Sequence, residues 1–315
     1  MKLAFASLVG VEPMPFEELV RRAAQIGVDG IEVNCGPTYP GRGDGPEGGH
    51  LDLRRIVADG PEQVLSLVGD AGLEITALAP MLNLLTLDQE VRARRVDYFR
   101  LTIDACAALG VEVAVIYGGS PFGMYLWGMP GQRPDHPSNR VREAVAIFQD
   151  VVGPLVEYAE SKGVRVGLET APRGGGQGNV AHAPELWDLV FDAVPSEALG
   201  LSFDPSHLVW LGVPDIPDVI RRYAGRIHHV DGKDAEVLPA VLARQGVLGS
   251  GWWRYRLPGL GAIDWTAVLS ALKEVGYRGT LGIENEDPVL YGLEGVRWSA
   301  AYLRRLLLPD GVGER

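Results

Sequence analysis

Three acids stand at matched places in this sequence: Glu169 in VRVGLET, Asp204 in LGLSFDPSH and Glu284 in TLGIENED. Each ends a run in which large apolar residues alternate with small or polar ones. Leu199, Leu201 and Phe203 alternate with Gly200, Ser202 and Asp204; Val164, Val166 and Leu168 with Arg165, Gly167 and Glu169; Leu281 and Ile283 with Gly282, Glu284 and Glu286. A period of two is that of a strand, and large groups toward one layer with small ones toward the other fit a parallel strand buried on both faces. A Gly or Ser two positions before each acid makes room beneath it. The recurrence predicts several carboxylates converging on one point. Crowded carboxylates repel, and they stay ionised only beside a cation. Lys233, at the end of RIHHVDGKD, is one candidate. A divalent cation is the other, and hard oxygen donors suit Mg²⁺ or Mn²⁺. Taken singly, each acid reads as a surface residue at a loop start. Three at matched strand positions, with His207 three residues after Asp204, read as a metal site.

RIHHVDGKD has to supply a further ligand if a cation is to be enclosed. Period two puts Ile227, His229 and Asp231 on one face. Asp231 falls at the strand end, level with the other acids. His229 falls one repeat deeper, by about 6–7 Å at the strand rise. Asp231 is therefore the better placed, with His229 as the alternative. His228 faces the other way and reads as a satisfied core histidine. His50, His136 and His182 fall on loops, where the sequence assigns them no role.

The elements that must position these groups follow in order. Strands are expected at 2–9, 30–35, 73–80, 111–119, 164–170, 199–204, 226–234 and 279–287, with helices between them. Pro15 and Gly27 bracket the first helix, Pro184 opens the one that runs to Val194, and Asp264 caps the one that runs to Gly276. Residues 89–109 and 138–162 read as longer helices, and 235–260 as an irregular segment. Eight strands alternating with helices, with no break in composition, predict an α/β fold: a single (β/α)8 TIM barrel domain over residues 1–315. An open doubly wound sheet is the rival, but no GxGxxG follows the first strand. RGGGQG lacks the GK[ST] ending of a phosphate loop. The long loops follow strands, on the face where such barrels keep their active sites.

Composition narrows the partners. The chain has 315 residues, 46% hydrophobic and 22% charged, which suits a globular domain. A net charge of −12 repels phosphate backbones and anionic bilayers, so neither nucleic acid nor membrane is an expected partner. No apolar run reaches the roughly 18 residues of a membrane span. MKLAFASLVGVEP is cut short by Glu12 and Pro13 as a signal peptide, and the two cysteines, Cys35 and Cys106, make no metal-type spacing. The expected compartment is the cytoplasm.

LET, FDPSH, HVDGKD, GWWRYRLPGLGAIDW and IENED together resemble the xylose-isomerase-like sugar phosphate isomerase/epimerase barrels, most densely from Gly167 to Pro288. The resemblance implies a metal-dependent isomerase or epimerase acting on a small carbohydrate. Carried over by position, Glu169, Asp204 and Glu284 are metal-binding acids. Asp231 stands where relatives usually carry a metal-binding His, which gives four carboxylates and favours Mn²⁺ or Mg²⁺ over Zn²⁺. In that chemistry a metal stabilises an enediolate while glutamates take and return a proton. Glu169 and Glu284 would fill those roles, with His207 and Lys233 steadying substrate oxygens. Trp127, Trp252 and Trp253 offer an apolar wall to a sugar ring, or pack the barrel rim. Arg254 and Arg256 offer a site for a phosphate or carboxylate, or lie on the surface. Two other readings share the scaffold: a lyase, of the inosose dehydratase or 3-keto-glycoside eliminase type, and a non-catalytic sugar-binding barrel. Barrels of this kind often self-associate, so a homo-oligomer is among the expectations.

Overall fold

A computed structural model describes residues 1–7, 14–36, 49–123, 136–174 and 177–307. Eight parallel strands close into a barrel: β1 (Lys2–Ala6), β2 (Gly30–Asn34), β3 (Glu74–Ala79), β4 (Val113–Ile116), β5 (Arg165–Glu169), β6 (Leu199–Phe203), β7 (Ile227–Gly232) and β8 (Thr280–Ile283). Each pairs with its sequence neighbours, and β1 pairs with β8 to shut the ring. The expected single (β/α)8 domain is what the chain forms. Helices cover the outside, and the large side chains of the strands pack under them. Phe5, Phe99, Phe148, Trp187, Phe203 and Trp265 are among the largest fully buried groups of that outer core.

Local signals set the helix ends. Helix Phe16–Ile26 follows Pro15 and stops at Gly27, whose φ of 84° is left-handed. The Asp264 carboxylate accepts from the Ala267 N–H at 3.0 Å and starts Trp265–Glu274. Helices Gln89–Leu109, Val141–Ser161 and Pro184–Ala193 fall within a few residues of the expected spans. Two short helices escape periodicity because each is only seven residues long: Leu53–Asp59, capped by Asp52, and Pro205–Leu211, capped by Asp204. The irregular segment after β7 is more ordered than expected. Asp234–Val237 pairs antiparallel with Trp253–Arg256, and helix Pro239–Gln245 lies between them.

One correction concerns β7. The register against β6 shifts, so that Leu201 pairs with Ile227 but Ser202 pairs with His229. Three residues of β7 span two of β6, which is a β-bulge. Ile227 therefore joins Leu201 in the outer core and leaves His229 and Asp231 on the inner face. A strict period of two does not survive the inserted residue.

The barrel interior is divided. On β3 and β4 it is apolar, with Ala77, Ala79, Val113 and Val115 packed against Met81. On β2 and β5–β8 it carries acids, histidines and a lysine.

Candidate active site at the mouth of the barrel

Glu169 is the last residue of β5, while Asp204 and Glu284 directly follow β6 and β8. All three are buried at the same end of the barrel. Asp204 does two jobs. Its Oδ1 accepts from the Ser206 N–H at 2.8 Å and caps the short helix, which leaves Oδ2 turned inward. The helix then carries His207 back over the strand ends. Its Nε2 lies 2.9 Å from Asp204 Oδ2 and 3.3 Å from Glu169 Oε1. Neither Asp204 Oδ2 nor His207 Nε2 makes an aligned hydrogen bond, although both are buried. On the far side of its ring, His207 Nδ1 shares a 2.9 Å hydrogen bond with the Tyr255 hydroxyl.

Lys233 enters from β7. Its Nζ contacts Glu284 Oε2, lies 2.9 Å from Asp204 Oδ2 and 2.8 Å from Glu286 Oε1, and sits 4.4 Å from the Tyr255 ring centroid. Opposite, Glu32 of β2 faces His229 and Asp231 of β7. Glu32 Oε2 is 3.2 Å from His229 Nε2, and Asp231 Oδ1 is 3.6 Å from His229 Nδ1. Ser202 Oγ joins them, 3.2 Å from Asp231 Oδ2 and 3.3 Å from His229 Nδ1.

These surroundings move the ionisation of each group. Burial raises Asp204, but the charges of His207 and Lys233 outweigh it and hold the carboxyl below its ordinary range. Burial lowers His207, yet Asp204 lifts it to about 9. Burial, with the charges of Glu284 and Glu169, pushes Glu32 up to about 8. Glu284 also rises to about 8 through burial, with Lys233 pulling the other way. Asp231 is driven well up by burial and by Glu169, Glu32 and Glu284. His229, buried, falls to about 4. The mouth thus holds more carboxylate than it can ionise with Lys233 and His207 alone.

Residues 20–306 match the family model of the xylose isomerase-like TIM barrel. The chain belongs to that family. Uncharacterized protein YfiH of Bacillus subtilis is 26% identical, covering 98% of this chain and 99% of its own. An inosose dehydratase of Clostridium beijerinckii is 28% identical over 46% of this chain and 48% of its own. Among solved structures, the 3-keto-D-glucoside 4-epimerase YcjR from E. coli superimposes with a TM-score of 0.67 at 18% identity, covering 97% of this chain and 99% of the other. The IOLI protein with a bound zinc atom superimposes with a TM-score of 0.66 at 22% identity, covering 96% of each chain. Those two likenesses show the fold.

Against this family's barrel, the donors at the mouth fit a divalent cation. Glu169, Asp204 and His207 offer one ligand atom each within 4.8 Å of one another, and Glu32, His229 and Asp231 do the same. The inward atoms without aligned hydrogen bonds are oxygens and imidazole nitrogens, which hard and borderline divalent ions accept.

The other sequence candidates are scattered. Trp252 is buried edge-on to Trp253, which stacks on Trp210 with centroids 4.3 Å apart and packs edge-on to Tyr255. Arg254, on the same hairpin, pairs with Glu236, and Arg256 pairs with Glu236 and Asp287. Trp127 lies outside the described residues. His228 hydrogen-bonds the Glu197 carbonyl at 3.1 Å, as a satisfied core histidine should. Glu32 and Tyr255 escaped the sequence reading. Glu32 did carry a signal, as a lone acid between Ile31 and Val33 in a buried strand. Tyr255 carried none, because its role depends on a hairpin folding back over the short helix after β6.

Proposed function

We propose that this chain is a metal-dependent isomerase or epimerase of a sugar or sugar derivative, working by proton abstraction beside a carbonyl. The observation that carries the reading is that Glu169, Asp204, Asp231 and Glu284 are buried at the ends of β5–β8, where Glu169 and Asp204 cluster with His207 and Asp231 clusters with Glu32 and His229. Those four acids would hold the cation, and their hard oxygens favour Mn²⁺ or Mg²⁺. When bound, such an ion supplies positive charge to the oxygen beside the reacting carbon. Glu169, at the end of β5, and Glu284, just after β8, would take and return the proton. Burial raises the Glu284 carboxyl, the direction in which it gains strength as a base. Lys233 and His207 donate to substrate oxygens, with Tyr255 fixing the His207 ring. The apolar wall of β3 and β4 leaves the polar side of the mouth to set orientation.

A sugar as substrate is supported by the carbohydrate epimerases and inosose dehydratases among its likenesses. The dehydratases favour a second reading, a lyase that begins with the same proton abstraction and then expels a group from the next carbon. The net charge of −12 argues for a small molecule over nucleic acid. No helix of the described residues is long and apolar enough to cross a membrane. Buried free thiols at Cys35 and Cys106 fit a reducing compartment, and we place the chain in the cytoplasm.

The test is a panel of ketoses, inososes and 3-keto-glycosides incubated in D₂O with Mn²⁺ and followed by NMR. Deuterium gain beside the carbonyl with all oxygens kept supports isomerisation or epimerisation. Loss of water or aglycone supports the lyase. Either activity should fall by about 10²–10⁴-fold in Glu284→Gln. Equal rates in wild type and Glu284→Gln, or no exchange with any member, would overturn the reading.

A further inference from the structure

We propose that the barrel binds a second divalent cation, held by Glu32 of β2 with His229 and Asp231 of β7. It would share Asp231 with the cation of the proposed reaction, and to that extent it rests on that reading.

β2 and β7 are not neighbours; β1 and β8 run between them. The two strands reach each other because the residues between are small. Ala4 of β1 pairs with Gly282 of β8, and Gly282 pairs with Asp231. A Cβ on Gly282 would lie 2.9 Å from His229 Cε1, 3.3 Å from His229 Nε2 and 3.6 Å from Glu32 Oε2. Leaving out that one carbon makes the space in which Glu32 and His229 face each other.

The facing atoms are not bonded. Glu32 Oε2 and His229 Nε2 stand 3.2 Å apart, in residues only 5% and 1% exposed, and neither has an aligned hydrogen bond. A buried polar atom left unbonded loses its hydration without recompense, so a third body that both atoms can bind is the cheaper arrangement. Neighbouring donors around an octahedral ion with bonds of about 2.1 Å lie about 3.0 Å apart, close to the separation seen. On its other side His229 Nδ1 meets Ser202 Oγ, which also contacts Asp231. That is the outer support a metal-binding imidazole uses to hold its orientation.

Charge points the same way. Glu32, Glu169, Asp204, Asp231, Glu284 and Glu286 face the mouth, and Lys233 is the one ammonium group among them. Lys233 Nζ lies against Asp204, Glu284 and Glu286, so no ammonium group stands beside Glu32 and Asp231.

The test is manganese per chain by elemental mass spectrometry, after loading the full chain with MnCl₂ and desalting. Two equivalents are expected in wild type, and one in each of Glu32→Gln and Glu284→Gln. Anomalous diffraction from the Mn²⁺-loaded wild type is a check that needs no variant. It should show two peaks, one between Glu32 and His229. One equivalent that Glu32→Gln keeps and Glu284→Gln loses would overturn this site and leave the proposed function standing. One equivalent lost in Glu32→Gln and kept in Glu284→Gln would uphold this site and overturn the other. No manganese in wild type would overturn both.

Discussion

The two sides of the barrel mouth solve the same problem differently. On the β5–β6 side, Asp204 and Glu169 are met by His207, and Lys233 reaches across to Asp204, Glu284 and Glu286. That side supplies its own positive charge, and Asp204 stays ionised. On the β2–β7 side, Glu32 and Asp231 face an imidazole whose burial keeps it neutral, and both acids are pushed up. Burial alone does not separate the two, since all these groups are buried. The difference is the His207 imidazole, which Asp204 lifts, and the Lys233 ammonium, which points to that side. An acid-rich pocket can therefore be stable on one flank and dependent on added charge on the other.

The largest change expected from breaking this contrast is in Lys233→Met. It leaves buried carboxylates unpaired and should cost about 3–5 kcal/mol in urea unfolding with chelator present. Saturating Mn²⁺ should recover much of that cost; equal losses with and without Mn²⁺ would mean the mouth takes no added cation. Next comes a histidine of β7 that lies outside the acid clusters. His228 is lowered to about 4 by burial, with the charges of Arg165 and Arg226 adding to it. Its folded value lies below the unfolded value of about 6.5, so stability is complete above pH about 6.5 and falls as pH drops toward 4. The full difference is on the order of 3 kcal/mol. His228→Gln should flatten that acid limb, and an unchanged slope would assign the loss to carboxylates instead. Smaller again is Gly200→Ala. Its Cβ would lie 2.3 Å from the Arg226 carbonyl oxygen and 2.4 Å from the His228 ring, for about 1–3 kcal/mol in thermal or urea unfolding. A neutral result there would mean that both the Arg226 carbonyl and the His228 ring give way. Smallest is Tyr255→Phe, which removes the hydrogen bond to His207 Nδ1 at about 0.5–1.5 kcal/mol. A shift in the pH profile of activity would show that Tyr255 orients His207 for the reaction; a change in stability alone would make it structural.

The barrel and the acid strand ends could be read from residues because both rest on local repetition. Glu169, Asp204 and Glu284 announce themselves by period and by the small residue two positions earlier. Asp231 and His229 share the inner face that the same count gives them, but Ile227 does not, since the extra residue of β7 opposite Leu201 and Ser202 resets the register. Glu32 was missed because it lies mid-strand, where a lone acid resembles an accident until the far side of the barrel supplies His229. Tyr255 and the Trp210–Trp253 stack depend on a long insertion folding back, which no period encodes. Arg254, offered by the sequence as a phosphate or carboxylate site or a surface residue, pairs with Glu236 once the hairpin forms.

The central claim is that this mouth is short of positive charge and takes it from a divalent cation. The most direct measurement is the thermal unfolding midpoint of chelator-treated wild type and Asp204→Asn, titrated with Mn²⁺. A ligand that binds only the folded state at a hundred times its Kd adds about 2.7 kcal/mol. The account predicts a saturable rise of several degrees in wild type and a much smaller one in Asp204→Asn. No rise at millimolar Mn²⁺, or the same rise in both proteins, would contradict it.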